Sequence, residues 1–575
     1  MGIVKIREMM YLCNPKMNVM ARLKYNFTWK KYHRWFGLVL SVFMLVFSVS
    51  GIILNHREVF SGCEVSRKWL PASYHIKNFN NGVVKGTVVK KSAAHSLSSE
   101  NCDSVLAYGC AGVFLTDSRL STWQDFNAGL PESIDERNVR HVVKVKDGSL
   151  WCAALRDVYR YDENSHRWKK VELPGNEERI MDVALAKDSM TVVALTRSRL
   201  FTIVPFVQYG EIVKIGKSSS ETYRVESKII PAPKKYEPKT TLFKLVWHLH
   251  SGEFFGLPGK LVVDAIALVL IVLSITGILL FILPYGIRRA KKLAAKARMK
   301  RLGKQFAWNM KWHNKIGYVT IVLTLWIAIT GMCLRPPLMV PLVLSKLPQA
   351  VGEDGNVWQD KLRAIRWDAV QGDWLVSTSE GFLRVDEDFS QAPKMLPDDE
   401  CPKLSPMGVT VWESDGKGGW IVGSFRGIYR WNPVNHSLNQ ILDYFTGKPS
   451  EETSMIPISD NLVCGYSEDF LGGKPLVFDF AKGVEDAKGQ AVALCNDEPK
   501  TSRNEESMSD LICETAPMSL WNVALELHVG RCYSPFLGPL SDLFVFLSGL
   551  LITLVLLSGY IISHRRRKKA QARLK

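Results

Sequence analysis

The chain has no CxxC pair, so its 11 cysteines offer neither a thiol redox motif nor a zinc knuckle. It also lacks a P-loop, a dinucleotide fingerprint, an HExxH motif and a nucleophile elbow in a fitting context. Soluble NAD or flavin modules and the common hydrolases are thereby excluded. Acidic residues are missing from two long stretches: residues 285–312 carry ten Lys/Arg and no acid, and 565–575 carry seven and none. Residues 1–32 hold seven Lys/Arg and a single acid. These blocks exceed the formal charge of +18 of the whole 575-residue chain, so the remainder is net acidic. Each block abuts an apolar run, where it acts as a topology signal and is satisfied by anionic membrane lipid; no nucleic acid is expected as a partner.

A mean hydropathy of -0.01 in a chain with 23% charged residues requires the apolar residues to be concentrated. They lie at 36–54, 261–284, 316–334 and 540–562, each long enough to cross a hydrocarbon layer of roughly 30 Å as a helix. The first run starts 35 residues in and lacks a small-residue cleavage pattern, so it reads as a retained anchor. The charge pattern puts both termini in the cytoplasm of a bacterial inner-membrane protein. The order is then a basic segment 1–32, span 33–56, outer region 57–240, histidine segment and span 241–284, basic loop 285–312, span 313–336, outer region 337–515, histidine segment and span 516–564, and basic tail 565–575. In an oxidising exterior, Cys102 with Cys110 and Cys495 with Cys513 are candidate disulfides.

The spans are duplicated. KYHRWFG at 31–37 aligns with KWHNKIG at 311–317, and SG at 50–51 aligns with TG at 330–331, without a gap. The second and fourth spans carry HSG at 250–252 and HVG at 528–530, fourteen residues before Asp264 and Asp542. Parallel halves packed about a pseudo-twofold axis put equivalent residues at one depth. His33 then faces His313 near the inner surface, and His250 faces His528 near the outer one. Such pairs suit a bis-histidine b-type haem, whose iron takes an imidazole nitrogen from each side, so two haem b are expected. Gly37 and Gly317, one turn after His33 and His313, offer room for a flat macrocycle or for helix packing. His56, His248 and His564 are secondary candidate ligands. Asp264 and Asp542 are either helix-start carboxylates or partners for haem or a proton. The clusters at 256–259 and 534–539 offer a helix break after each histidine segment.

Between the spans the pattern changes to short strands and turns, as in GSLWCAALRDVYRYD (148–162), GDWLVSTSEGFLRVD (372–386) and GGWIVGSFRGIYRWN (418–432), with weaker copies at 111–124 and 188–202. The form resembles the repeat of β-propeller sensor domains. At blades of roughly 45 residues each outer region would supply about four, with Trp374, Trp420 and Trp431 in blade cores. The expected fold is a membrane protein: a four-helix transmembrane bundle from a duplicated span pair, with all-β propeller-like extracytoplasmic domains.

The set HRWFG with SG, LH with TG, and HNKIG with TG resembles the PepSY-associated transmembrane helix family, over the four spans. The resemblance implies cofactor roles for His33, His250 and His313, with His528 as the repeat equivalent. It further implies a haem-containing inner-membrane reductase that passes electrons from a quinol or another donor to periplasmic ferric iron or a ferric siderophore. The outer β-repeats depart from the family where a PepSY domain would stand. The alternative is a membrane-anchored propeller sensor or binding module, or a haem or metal permease, without reductase activity.

Overall fold

The computed structural model describes residues 15–91, 104–118, 123–205, 207–208, 211–212, 223–349, 351, 354–403, 408–424, 427–440, 462–470, 473–486 and 516–573. Two compact units share the chain: Met1–Phe60, Lys239–Leu347 and Trp521–Lys575 form one, and Ser61–Pro238 with Pro348–Leu520 the other.

The first unit is helical, because a chain in hydrocarbon must satisfy each peptide group within its own segment. Its main helices are α1 (Pro15–Asn55), α2 (Leu242–Ser251), α3 (Gly256–Lys292), α4 (Lys296–Val319), α5 (Ile321–Cys333), α6 (Leu520–His528) and α7 (Ser541–Gln571). The stretches Trp29–Asn55, Glu253–Lys292 and Arg531–Gln571 are each long and apolar enough to cross a membrane. Helices α4 and α5 make a fourth span only as a broken pair, bent by 69°. The bend falls at Thr320, whose hydroxyl donates to the Ile316 carbonyl at 2.9 Å, while that of Thr324 donates to Thr320 at 3.1 Å. Hydroxyls bonded back into a helix ladder favour such bending. Leu40 and Met44 of α1, Ile266 and Leu270 of α3 and Ile552 of α7 share one buried cluster, with Ile327 and Ala328 of α5 against it. The protein is therefore a multi-spanning membrane protein carrying two large regions between its spans.

Each histidine segment ends earlier than the Gly/Pro clusters suggest. The chain turns at Gly252 (φ 79°) and Gly530 (φ 86°), directly after HS and HV. At Gly252 a side chain would meet the Gly259 carbonyl, as an added Cβ would lie 2.3 Å from that oxygen. Pro258 lies in the first turn of α3, where its missing N–H leaves no helical bond unmade.

The second unit is built from antiparallel meanders. The first half contributes three sheets, opening with strands Gly86–Lys91, His141–Lys144 and Ile180–Leu185; the second half contributes three more, opening with Leu362–Asp368, Val411–Ser414 and Val463–Ser467. Five have four described strands in sequence order and the last has three. The propeller-like domains expected from the repeats are corrected by this topology. Every sheet is open; among the described residues no strand pairing closes or curls a sheet on itself or joins one of the six to another. Among the described residues each outer region yields three meander sheets of three or four strands, beside short two-stranded pairings, rather than about four repeats. The repeat estimate failed because much of the chain is not strand: Arg67–Trp69 and Ala72–Tyr74 are short 3-10 turns, and residues 229–238, with Pro231, Pro233 and Pro238, run without a ladder.

Side-chain packing joins neighbouring sheets. Leu106 and Tyr108 of the first sheet pack with Val142 and Cys152 of the second, and Val193 and Leu200 of the third pack with Ile365 and Trp374 of the fourth. Phe382 packs with Trp412 and Trp431, while Val105 and Phe114 of the first sheet share a core with Cys464 and Phe478 of the sixth. Trp374 and Trp431 are core residues, whereas Trp420 is only partly buried. Of the candidate disulfides, Cys102, Cys495 and Cys513 lie outside the described residues; the Cys110 thiol donates to the Asn81 carbonyl.

Candidate functional site

Both histidine pairs read from the repeat are formed in the helical unit. His33 of α1 and His313 of α4 have ring centroids 6.3 Å apart, with planes at 68°. His250 near the end of α2 and His528 at the end of α6 are 6.1 Å apart, with planes at 52°. Each pair is presented by two repeat-equivalent helices far apart in the chain, so the facing rings come from tertiary packing and not from local sequence.

One device holds all four rings. The Nδ1 atom of His33 lies 2.9 Å from the Ser558 hydroxyl, that of His528 2.9 Å from Ser50, that of His250 3.0 Å from Thr330, and that of His313 2.9 Å from Thr276. In every case the next residue is glycine. A Cβ at Gly559 would lie 2.9 Å from His33 Cε1, at Gly331 2.8 Å from His250 Cε1, at Gly51 3.4 Å from His528 Cε1 and at Gly277 3.6 Å from His313 Cε1. The hydroxyl anchors the ring and the glycine clears space for it. Each anchor also comes from the opposite half of the duplicated chain.

The other candidates are placed differently. A Cβ at Gly37 or Gly317 would meet Val555 at 3.8 Å or Leu273 at 3.6 Å, so these glycines serve helix contacts. His56 Nε2 is 2.6 Å from Asp264 Oδ2, and Asn55 donates to Asp264 Oδ1 at 3.1 Å. In the second half Arg335 faces Asp542 at 3.6 Å. His248 lies beside Trp247 on its own helix, and His564 stacks on Tyr318 and Tyr560. None of these three joins a facing imidazole pair among the described residues.

The paired residues fit a bis-imidazole haem on two counts. Imidazole–metal bonds of about 2 Å on each side are compatible with rings so separated, and Gly331 and Gly559 leave ring space that a side chain would invade. The reductase expectation is not met. Among the described residues no three His, Cys, Asp or Glu side chains converge to hold a metal ion. A ferric substrate, which favours several hard oxygen ligands, therefore finds no built site among the described residues.

A second constellation, which the sequence reading missed, lies in the β unit where opening strands of its sheets approach. Asp182 accepts from Arg366 Nη1 at 2.5 Å and from the Ile365 amide at 3.0 Å, and faces His141 Nδ1 at 3.2 Å. Arg366 also donates to the Trp412 carbonyl at 2.9 Å, and the Tyr108 ring meets His141 edge-on. Burial alone would raise the Asp182 carboxyl, yet Arg366 and His141 hold it below its ordinary value. Withdrawal from water pushes Glu413 up; Asp182 and Asp469 add to this, while His141 and Arg366 oppose it. Thr87 donates to Asp469 at 2.6 Å and meets Ser467 at 2.7 Å.

These features define a duplicated membrane bundle with paired histidines and a large β unit between its spans. The model of the PepSY-associated TM region matches residues 17–284 and again 282–567, so the chain belongs to that family and contains the region twice. No curated protein matches the sequence. Among solved structures, two describe an extracellular domain assigned to BT4673, a two component or one component system of B. thetaiotaomicron. They show 11% and 8% identity, TM-scores of 0.32 and 0.29, and cover 70% and 71% of this chain but 32% and 39% of theirs. A third is the yeast Nup82-Nup159-Nup116 nucleoporin complex, at 9% identity and a TM-score of 0.24, covering 70% of this chain and 94% of that one. This chain thus spans about a third of the length of the first two, and scores this low leave the fold to the topology above.

Proposed function

We propose that this protein is a membrane-anchored binding module of the bacterial inner membrane. Its β unit recognises a ligand or partner outside the cytoplasm, and its bundle carries two haem b groups. His33 and His313 would hold one, and His250 and His528 the other. The observation that supports this most is the pair of facing imidazole sets, each ring anchored at Nδ1 and relieved at Cε1 by glycine. A haem held by these histidines would supply one-electron exchange. The chain's own part is to orient the rings, exclude water with the apolar bundle and hold the Nδ1 proton.

The basic blocks at 1–32, 285–312 and 565–575 support cytoplasmic termini, periplasmic placement of both large regions and contact with anionic lipid. The polar cluster of His141, Asp182, Arg366 and Glu413 is the recognition face we favour in the β unit, because it gathers both signs of charge. The test is haem content and activity of the purified full-length protein. The expected result is two haem b per chain, with ferric citrate reduced by quinol no faster than in haem-free histidine variants. Reduction well above that control would overturn the binding-module reading, and absence of haem would remove the cofactor from it.

A further inference from the structure

We infer that Ser50, Thr276, Thr330 and Ser558 are positioning residues that set the tautomer of the four paired histidines, placing the proton on Nδ1 and the free electron pair on Nε2. A hydroxyl has one hydrogen to donate and two lone pairs to accept with. Each of these hydroxyls donates within its own helix: Ser50 to the Val46 carbonyl at 2.6 Å, Thr276 to Val272 at 2.7 Å, Thr330 to Trp326 at 2.8 Å and Ser558 to Val555 at 2.8 Å. With that hydrogen used, the oxygen can only accept from the imidazole. Nδ1 must then be the donor.

A second contact requires the same answer. His33 Nδ1 lies 3.1 Å from the Val555 carbonyl, which has no proton to give. His33 Nδ1 therefore sits between two acceptors, and the opposite tautomer would leave both facing a lone pair. At the other three sites the carbonyl three residues before the anchoring hydroxyl, that of Phe47, Leu273 or Ile327, is a second acceptor of that hydroxyl's hydrogen, at 3.1–3.2 Å.

The assignment holds for the protein without any cofactor. Its consequence for ligation rests on the proposed haem function: Nε2, the nitrogen left with a lone pair, is the ligand atom in each pair. Anchors are exchanged between the halves, since His33 and His250 are held by Ser558 and Thr330, and His313 and His528 by Thr276 and Ser50. Neither half sets its own tautomers.

The experiment is nitrogen NMR of full-length, imidazole-labelled protein produced without haem, with each signal assigned by a His→Gln variant. The expected spectrum shows Nδ1–H for His33, His250, His313 and His528. Thr276→Val, which keeps the shape and removes the hydroxyl, shifts the His313 signals toward mixed tautomers, and Thr276→Ser restores them. Nε2–H in the wild type, or an unchanged tautomer in both Thr276→Val and Ser558→Ala, would overturn the assignment. In a separate haem titration, Thr276→Val is expected to weaken binding by about 10–100-fold, with recovery in Thr276→Ser. A chain that has the Nδ1–H tautomer but takes up no haem would refute the cofactor proposal alone.

Discussion

At the scale of residues, the glycines beside the imidazoles differ in tolerance. An added methyl at Gly559 or Gly331 would lie within 3 Å of a ring carbon, while at Gly277 it would make an ordinary contact at 3.6 Å. Gly559→Ala and Gly331→Ala should therefore displace His33 and His250 and lower haem retention in the purified protein, whereas Gly277→Ala should leave it near wild type. Absorbance relative to protein measures this, and equal retention in all three would contradict this use of the ring space. In the β unit, Glu413 faces His141, Arg366, Asp182 and Asp469. Its folded pKa is raised, so the folded state binds more protons than the unfolded one between the two pKa values. Stability tied to Glu413 is then fully present below the ordinary carboxylate range and lost as pH rises through the folded value. Glu413→Gln should reduce that decline, so that the variant gains on wild type in melting temperature with rising pH. A variant that loses ground to wild type in melting temperature as pH rises would have the wrong sign.

At the scale of elements, the β sheets depend on large side chains buried between them. Trp431 is fully buried with Phe382 and Trp412, and its Nε1 donates to the Glu400 carbonyl at 2.9 Å. Trp431→Ala should cost about 3–5 kcal/mol in denaturant unfolding of the full chain, and a loss below about 1 kcal/mol would show that the fifth sheet does not depend on this contact. The strands and these tryptophans were legible because alternating apolar residues and turn glycines are local signals. The number of sheets was not, because proline-rich connections consume length without forming ladders. The Asp182–Arg366 pair joins positions 184 residues apart and leaves no local trace. The histidine pairs were readable because a gapless repeat carries both helix face and depth. Their anchors in the second and fourth spans were harder: Gly277 follows Asp264 by 13 residues and Gly559 follows Asp542 by 17. Four residues is close to one helical turn, so the face is kept while the alignment slips.

At the scale of the whole molecule, duplication provides two sites from one plan, each ring supplied by one half and anchored by the other. The bend at Thr320 shows that the two halves, alike in their paired histidines, do not share every backbone detail. What unites them is the pairing of His33 with His313 and of His250 with His528. A reduced-minus-oxidised spectrum of the full-length protein beside alanine variants at these four positions tests that pairing most directly. We expect two b-type haems, with His33→Ala and His313→Ala each removing the same one and His250→Ala and His528→Ala each removing the other. Spectra that survive all four substitutions, or a wild-type protein without haem, would contradict the account.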